Sequence, residues 1–264
     1  MKRIGLFAVI SLLSLPGAHA AVQGEEVDYR ANGTVLKGYL AYDDAVKGKR
    51  PGVIVVHEWW GHNDYARMRA RMLAELGYTA LAVDMYGDGK QAHHPSDAGK
   101  FSGEVRKNLT LARKRFDAGV RLLKKHRTVD AGKIAAIGYC FGGAVVLEMA
   151  RHGEPLKGVV SFHGNLTTEQ PAKAGRVKAR VLVLTGEADP FVPAEQVDAF
   201  KKEMDAAKVS YRVVGYPGAK HAFTNKEADD NARKFNLPAL AYNAEADHKS
   251  WVEMQAFFKD IFAK

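Results

Sequence analysis

Six short runs of β-branched and small apolar residues, separated by segments with helical periodicity, constrain the fold of this chain more than any other feature. Such runs are buried on both faces, as in a parallel sheet with right-handed crossovers. We predict strands at 52–56, 79–83, 134–137, 158–162, 180–184 and 210–214, and helices at 65–76, 103–126, 143–152, 194–207 and 246–262. Alternating residues at 25–29 and 35–42 around Asn32-Gly33 predict an antiparallel hairpin at the sheet edge. The sequence therefore predicts an α/β fold with helices on both faces of a mostly parallel sheet.

The first 20 residues differ from the rest of the chain. Lys2 and Arg3 precede an apolar stretch, 4–15, that is too short to span a bilayer, and an A-x-A cleavage pattern ends at Ala20. We expect a signal peptide over 1–20 and export, most simply to a periplasm. Residues 21–264 contain no repeat, no Pro- or Ser-rich linker and no apolar stretch long enough for a membrane span. One domain is therefore expected there.

The charge of the chain is basic but not extreme. The formal net charge is +9, and loss of Lys2 and Arg3 with the first 20 residues, which contain no acid, would leave +7. Much of the excess lies at 107–127, where apolar residues recur at helical spacing and basic residues occupy the other faces. Because no aromatic cluster or reader module accompanies these charges, we interpret them as the solvated face of a helix and expect no nucleic-acid partner.

Cys140 occupies a turn between a predicted strand and a predicted helix. Gly138 and Gly142 flank it at two positions on either side, as in the G-x-S-x-G elbow with sulfur in place of the hydroxyl. A helix N-terminus stabilises a thiolate, and its first N–H groups can hold an oxyanion. Cys140 is the only cysteine, so no internal disulfide is possible. A lone cysteine at this position in an exported protein favours a reactive thiol over a buried packing residue.

A reactive thiol needs a base, and the base needs an acceptor that fixes its tautomer. Asp189 follows the strand run 180–184, and His221 follows 210–214. Taken singly, each residue has a structural explanation that is as good as a catalytic role: an Asx turn for Asp189 and a capped loop for His221. The order of nucleophile, acid and histidine is typical of the α/β-hydrolase fold, where these three loops meet at one edge of the sheet. We therefore predict a triad of Cys140, His221 and Asp189.

The segment H-E-W-W-G-H follows the first parallel strand and superficially resembles a zinc motif. His57 and His62 are five residues apart, which would put them on different faces of a helix, and the preceding run predicts a strand. We reject a metal and expect no cofactor. In an α/β-hydrolase this loop supplies an oxyanion donor, so the backbone N–H groups of Trp59 and Phe141 are the predicted oxyanion hole.

Four motifs together resemble the dienelactone hydrolase family over essentially the whole mature chain. They are H-E-W-W-G with Glu58, G-Y-C-F-G-G with Cys140, G-E-A-D-P with Asp189 and G-A-K-H-A-F with His221. The resemblance implies an α/β-hydrolase with a Cys-His-Asp triad. It also implies that Glu58 bonds the resting thiol and releases it when substrate arrives, and that the residues matched by Trp59 and Phe141 form the oxyanion hole.

The chain departs from this family at two positions. Chlorocatechol-pathway members bind a substrate carboxylate with two arginines, whereas this chain has Asp88 near the first position and Asn225 at the second. Together with the predicted export, this departure argues against dienelactone itself as the substrate. We expect a substrate without a carboxylate that must be clamped.

These observations predict an exported hydrolase of small-molecule esters, lactones or thioesters that works through a cysteinyl acyl-enzyme. Tentative pocket residues are Trp60, Tyr86, Phe223 and Asn225, and a core role remains open for the aromatic three. The segment 85–102 is expected to be either a substrate-contacting loop or a solvated connection. The alternative class is a non-hydrolytic ligand-binding or redox-sensing protein on the same fold. The sequence does not define the oligomeric state.

Overall fold

One eight-stranded sheet forms the centre of the molecule. The structure, a computed structural model, describes residues 22–263, so the expected signal peptide lies outside the described residues. Its strands are β1 (Val22–Ala31), β2 (Thr34–Asp43), β3 (Arg50–Val56), β4 (Thr79–Val83), β5 (Val129–Tyr139), β6 (Gly158–Phe162), β7 (Arg180–Gly186) and β8 (Tyr211–Tyr216). They run in the spatial order β1-β2-β4-β3-β5-β6-β7-β8, and the last six strands in this order are mutually parallel.

The N-terminal hairpin is the antiparallel part of the sheet. β1 pairs with β2 along their whole length, and β2 pairs with β4. The connecting Asn32 and Gly33 have φ values of 49° and 83°. Two successive positive φ values are what a two-residue hairpin turn requires, which explains the Asn-Gly pair. The predicted hairpin is confirmed.

Helices cover both faces of the sheet. They are α1 (Asp64–Glu75), α2 (Pro95–Lys107), α3 (Leu109–Lys125), α4 (Phe141–Arg151), α5 (Ala194–Ala206), α6 (Ala228–Phe235) and α7 (Ala244–Phe262). Successive residues of β3 point to opposite faces, so Ile54 and Val56 join the core under α3 and α4, whereas Val53 and Val55 join the core under α1 and α7. This architecture confirms the predicted α/β-hydrolase-like fold.

Two predictions about the helices were wrong. The expected single helix at 103–126 is two helices, because Asn108 leaves the helical conformation and its side chain accepts a hydrogen bond from the N–H of Leu111 at 2.9 Å. This cap starts α3 and ends α2. The segment 85–102 is irregular only in its first part, since α2 begins at Pro95 after the N-cap His94. Helix α6 was not expected.

Within residues 22–263, no helix is long and apolar enough to cross a membrane.

Candidate active site

The turn between β5 and α4 holds Cys140 in a strained conformation. Its φ and ψ are 52° and −114°, and its side chain is half-buried. A Cβ atom on Gly138 would lie 2.0 Å from the carbonyl oxygen of Gly142, and one on Gly142 would lie 2.3 Å from that of Val56. Both flanking glycines are therefore required for this close approach, and the turn presents the sulfur above the sheet at the start of α4.

His221 and Asp189 lie in line with this sulfur. The Nε2 atom of His221 is 3.1 Å from Cys140 Sγ, and its Nδ1 atom is 2.8 Å from Asp189 Oδ2. Asp189 follows β7, and its second carboxylate oxygen accepts a hydrogen bond from the N–H of Phe191 at 2.8 Å. Both the imidazole and the carboxylate are buried, at 7% and 3% exposure. The structure thus brings together the three residues of the triad that the sequence predicted.

The environment of His221 favours its cationic form. Burial lowers the pKa of the imidazole, but its electrostatic interaction with Cys140 and its hydrogen bonds to Asp189 and Cys140 outweigh burial and raise the pKa to about 10. An imidazolium at neutral pH holds a proton on Nε2, directly beside the sulfur. Chemically, such a pair can provide both an activated nucleophile and a proton for a leaving group.

Glu58 follows β3 and is 2% exposed. Its Oε2 atom accepts a hydrogen bond from Asn225 Nδ2 at 2.7 Å, whereas Oε1 is buried and has no hydrogen-bond partner within residues 22–263. Burial raises the pKa of this carboxyl to about 7, although the Asn225 bond opposes the shift. The sulfur of Cys140 contacts His221 in this structure, and Glu58 contacts Asn225.

Hydrogen bonds of two buried side chains, His57 and Tyr86, hold the loop that carries Trp59 in place. Met85 N–H donates to His57 Nε2 at 3.2 Å, so His57 Nδ1 carries the proton and donates to the carbonyl of Glu58 at 2.5 Å. The hydroxyl of Tyr86 donates to the carbonyl of Trp59 at 2.9 Å. Phe141 is the first residue of α4, where backbone N–H groups have no partner within the helix. The two predicted oxyanion donors are therefore well positioned: the N–H of Trp59 lies on a hydrogen-bonded loop, and the N–H of Phe141 lies at the N-terminus of α4.

The four tentative pocket residues have different positions. Trp60 and Asn225 line the cavity above Cys140. Tyr86 is 4% exposed and supports the Trp59 loop instead. Phe223 is fully buried in the core, with its ring centroid 5.2 Å from that of His163, and it does not line the cavity. For Tyr86 and Phe223 the pocket assignment is replaced by these roles.

Sequence reasoning missed His163, which directly follows β6. Its Nδ1 atom accepts a hydrogen bond from the N–H of Cys140 at 3.1 Å, so the proton is on Nε2, which donates to Thr224 Oγ1 at 2.7 Å. Burial lowers the pKa of His163 well below its usual value, so the ring stays neutral. The ring thus ties the strained backbone of Cys140 to the segment that carries His221. Its position at the end of a parallel strand was the available signal.

A buried cation extends this network to the far side of the sheet. Arg69 on α1 donates from Nη2 to the carbonyl of Thr224 at 2.7 Å and to Asp247 Oδ1 at 2.6 Å, and from Nε to the hydroxyl of Tyr65 at 3.3 Å. Tyr65 is in turn 2.6 Å from Thr224 Oγ1. The arginine is 2% exposed. The network therefore connects α1 and α7 to the loop beside His221.

A cavity of about 860 Å³ opens above Cys140, Glu58 and His221. Two cations that the sequence reasoning did not single out, Arg106 and Lys107, line it from the end of α2. Neither forms an ion pair within the described part of the chain. No group of three or more His, Cys, Asp or Glu side chains in residues 22–263 could hold a metal ion.

A mostly parallel sheet with this strand order, with a cavity at the carboxyl edge of its strands, is the architecture of the α/β-hydrolase fold class. The chain belongs to the dienelactone hydrolase family, whose sequence model matches residues 36–262. It is 30% identical to Protein usf of Aquifex pyrophilus over 242 residues. The aligned region covers 90% of this chain and 98% of that relative.

Two solved structures are also similar to the chain. A dienelactone hydrolase-like promiscuous phosphotriesterase from metagenomic libraries is 38% identical, with a TM-score of 0.85 and coverage of 91% of this chain and 99% of that one. The protein m3DLH is also 38% identical, with a TM-score of 0.84 and coverage of 92% and 99%. The family and these neighbours identify the chain as a dienelactone hydrolase-like hydrolase.

Proposed function

We propose that this protein hydrolyses small ester, lactone or thioester substrates through a covalent cysteinyl acyl-enzyme. The observation that carries the proposal is the line of contacts from Cys140 Sγ to His221 Nε2 at 3.1 Å and from His221 Nδ1 to Asp189 Oδ2 at 2.8 Å. A ligand-binding or redox-sensing protein would need neither the histidine nor the buried carboxylate in that line. The second class of function is therefore not favoured.

The geometry supports the following sequence of steps. The sulfur of Cys140 attacks the substrate carbonyl carbon, and the N–H groups of Phe141 and Trp59 stabilise the oxyanion. When the tetrahedral intermediate collapses, the bond to the leaving oxygen breaks and His221 Nε2 gives that oxygen its proton. Water then attacks the thioester while His221 accepts a proton from it, and the sulfur leaves as the acid is released. Asp189 orients His221 in both halves.

Sulfur chemistry limits the substrate class. A thiolate leaves a tetrahedral intermediate more readily than an amine does, so unactivated amides revert to starting material. Lactones, aryl esters and thioesters have better leaving groups and go forward. A panel of these substrates tests the proposal: p-nitrophenyl butyrate should give a burst of p-nitrophenol that prior treatment with iodoacetamide abolishes. Absence of hydrolysis across the panel would reject the function.

The pKa of Glu58 predicts a pH-dependent stability difference. The folded protein keeps a proton on this carboxyl up to a pKa of about 7, whereas the unfolded chain releases it near 4.5, so ionisation costs stability as the pH rises between these values. Glu58→Gln cannot ionise. Relative to wild type, its free energy of unfolding should rise by about 2 to 3 kcal/mol between pH 4.5 and pH 8.

Thermal unfolding of both proteins at several pH values in this range measures the effect. A difference between Glu58→Gln and wild type that stays constant over this range would mean that the buried carboxyl ionises normally.

The position of Asn225 predicts a preference for neutral substrates. The amide of Asn225 donates to Glu58, so this position lacks the positive charge that the second arginine supplies in the chlorocatechol-pathway enzymes. A substrate carboxylate there would lose a charge-assisted contact, which corresponds to about a 10- to 100-fold loss of kcat/KM. We expect the methyl ester of a lactone acid to be hydrolysed faster than the free acid by that factor. A preference for the free acid would contradict this prediction. If Arg106→Gln then abolished that preference, Arg106 would be identified as the cation that binds the substrate carboxylate.

We further propose that the protein is exported after cleavage near Ala20. This proposal rests on the sequence of residues 1–20 alone. N-terminal sequencing of the protein from the periplasmic fraction of an expressing cell tests this. An intact Met1 in the cytoplasmic fraction would reject it.

A further inference from the structure

The cavity extends well beyond the reacting atoms. It follows α4 from Cys140 to Glu148, eight residues that span about 12 Å at the rise of an α-helix. The apolar residues of α2 and α4 along this stretch lie beneath the surface, since Val105, Val145 and Met149 are 5% exposed or less. A ligand in this part of the cavity therefore contacts the more exposed side chains around them.

The accessible lining of this stretch is mostly hydrophilic. We call it the polar wall and define it by one group of side chains from the end of α2, from α4 and from the segment between β6 and β7. They are Arg106, Lys107, Glu148, Asn165, Glu169 and Gln170. All six are exposed or half-buried. A substrate part that lies against this wall is therefore expected to carry hydrogen-bonding groups of its own.

The segment that supplies half of the polar wall is anchored to the fold. The carbonyl of Leu166 accepts a hydrogen bond from Arg151 Nη2 at 2.8 Å, and Asn165 Oδ1 accepts two from the N–H and the hydroxyl of Thr167, at 2.9 and 2.5 Å. Within residues 22–263, however, Asn165 Nδ2 and the side-chain amide of Gln170 form no hydrogen bond. These amides can bind a ligand without breaking a contact of the fold.

The polar wall carries charges of both signs. Arg106 and Lys107 are cations, Glu169 is a carboxylate, and Glu148 is paired with Arg151 at 2.8 Å. A strongly charged ligand would meet a like charge as well as an opposite one. A neutral hydroxyl group both donates and accepts, so it can pair with a cation, a carboxylate or an amide. The wall therefore fits a neutral ligand with several hydroxyl groups.

The position of His221 determines which part of the substrate meets this wall. Its Nε2 atom must return a proton to the departing oxygen, so the leaving side of the substrate lies beside His221. Ala219 and Phe223, on either side of His221 in the chain, pack into the core under α1 and α7, whereas Val145 of α4 packs into the core on the opposite face. The acyl side of the substrate therefore extends over α4, along the polar wall.

We infer that the polar wall binds the hydroxyl groups of a polyhydroxylated acyl group, so that sugar lactones and neutral esters of sugar acids are the substrate class. This inference rests on the proposed hydrolysis of esters and lactones and specifies its substrate. In such a lactone the sulfur of Cys140 bonds to the carbonyl carbon and the ring C–O bond breaks. The ring oxygen takes the proton from His221 and stays attached to the acyl-enzyme, which water then cleaves to the open-chain acid.

The test compares D-glucono-1,5-lactone with δ-valerolactone, which has the same ring without hydroxyl substituents. For each lactone, kcat/KM is divided by the rate constant of uncatalysed hydrolysis, which removes the difference in intrinsic reactivity. In the wild type this quotient should be larger for the gluconolactone by about tenfold or more, because each net hydrogen bond to a hydroxyl contributes about 2- to 10-fold.

Two double variants test the polar wall itself. Lys107→Leu/Gln170→Leu removes two exposed groups whose side chains form no hydrogen bond or ion pair in the part of the chain that the structure describes, and it should reduce the preference for the gluconolactone by about tenfold or more. Lys114→Leu/Gln255→Leu is the matched control, because it removes one cation and one amide that do not line the cavity. Its preference should stay within about twofold of wild type. Gln170→Leu alone, with a loss of about 2- to 10-fold, replaces the first double variant if circular dichroism shows that the latter is unfolded.

Each outcome has a distinct meaning. A wild-type preference of one or less overturns the polar wall, and so does an unchanged preference in the wall variant or an equal loss in both double variants. Failure of the wild type to hydrolyse any ester or lactone, p-nitrophenyl butyrate included, would instead reject the proposed function, and the polar wall with it.

Discussion

Cys140→Ala should lower kcat/KM for p-nitrophenyl butyrate by about 10⁴-fold or more, because no other group in the site can form the acyl-enzyme. Cys140 is the only cysteine of the chain and lies 3.1 Å from His221 Nε2. Residual hydrolysis by the variant would come from binding and the oxyanion donors alone. Intact-mass measurement during turnover should show an acyl adduct on the wild type and none on the variant.

Cys140→Ser is the matched control for folding. The strain at a φ of about 52° is the same for cysteine, alanine and serine, so both variants should keep a stability close to that of wild type. If Cys140→Ala kept more than about a tenth of wild-type activity, the covalent mechanism would be wrong, since loss of a nucleophile costs far more than tenfold.

Arg69→Met should reduce the free energy of unfolding by about 3 to 5 kcal/mol, since it breaks a buried ion pair and leaves the partner carboxylate without its cation. The arginine is 2% exposed, contacts Asp247 at 2.6 Å and also donates to the carbonyl of Thr224. For a domain of this size, the corresponding decrease in Tm is about 10 °C. Chemical denaturation with urea, analysed as a two-state transition, measures the loss.

Arg67→Met on the same helix is the matched control. Arg67 pairs with Glu26, whose side chain is 56% exposed, so its loss should cost less than about 1 kcal/mol. The double variant Arg69→Met/Asp247→Asn should lose less stability than the sum of the two single variants. Equal losses for Arg67→Met and Arg69→Met would show that the buried network contributes nothing beyond an exposed pair.

Features with a periodic or local sequence signal could be predicted. The six parallel strands consist of short apolar runs, and the hairpin has Asn32-Gly33 at its turn, so both have signals in a single stretch of chain. That Cys140, Asp189 and His221 lie together could be predicted from the elbow glycines around Cys140 and from the order of Asp189 and His221 along the chain. Chain order is informative here because parallel strands end at one edge of the sheet.

Features that depend on contacts between distant segments could not be predicted. The pairing of Glu58 with Asn225 joins residues 167 positions apart, and neither side chain signals its partner. The break at Asn108 was hidden because apolar periodicity continues through it, although the residue itself is a common N-cap. Phe223 was misplaced because an aromatic residue after a histidine is equally compatible with a cavity wall and a core.

The residues beside the sulfur and one wall of the cavity belong to separate parts of the scaffold. Cys140, His221 and Glu58 follow strand ends, whereas this wall includes Arg106 and Lys107 of α2 and Leu109 of α3. Sequence drift in that helical pair can therefore reshape the acceptable ligand while the chemistry is preserved. Gene duplicates of this enzyme could diversify in specificity through a few helix-surface exchanges, which makes the α2–α3 pair the natural region to randomise in directed evolution.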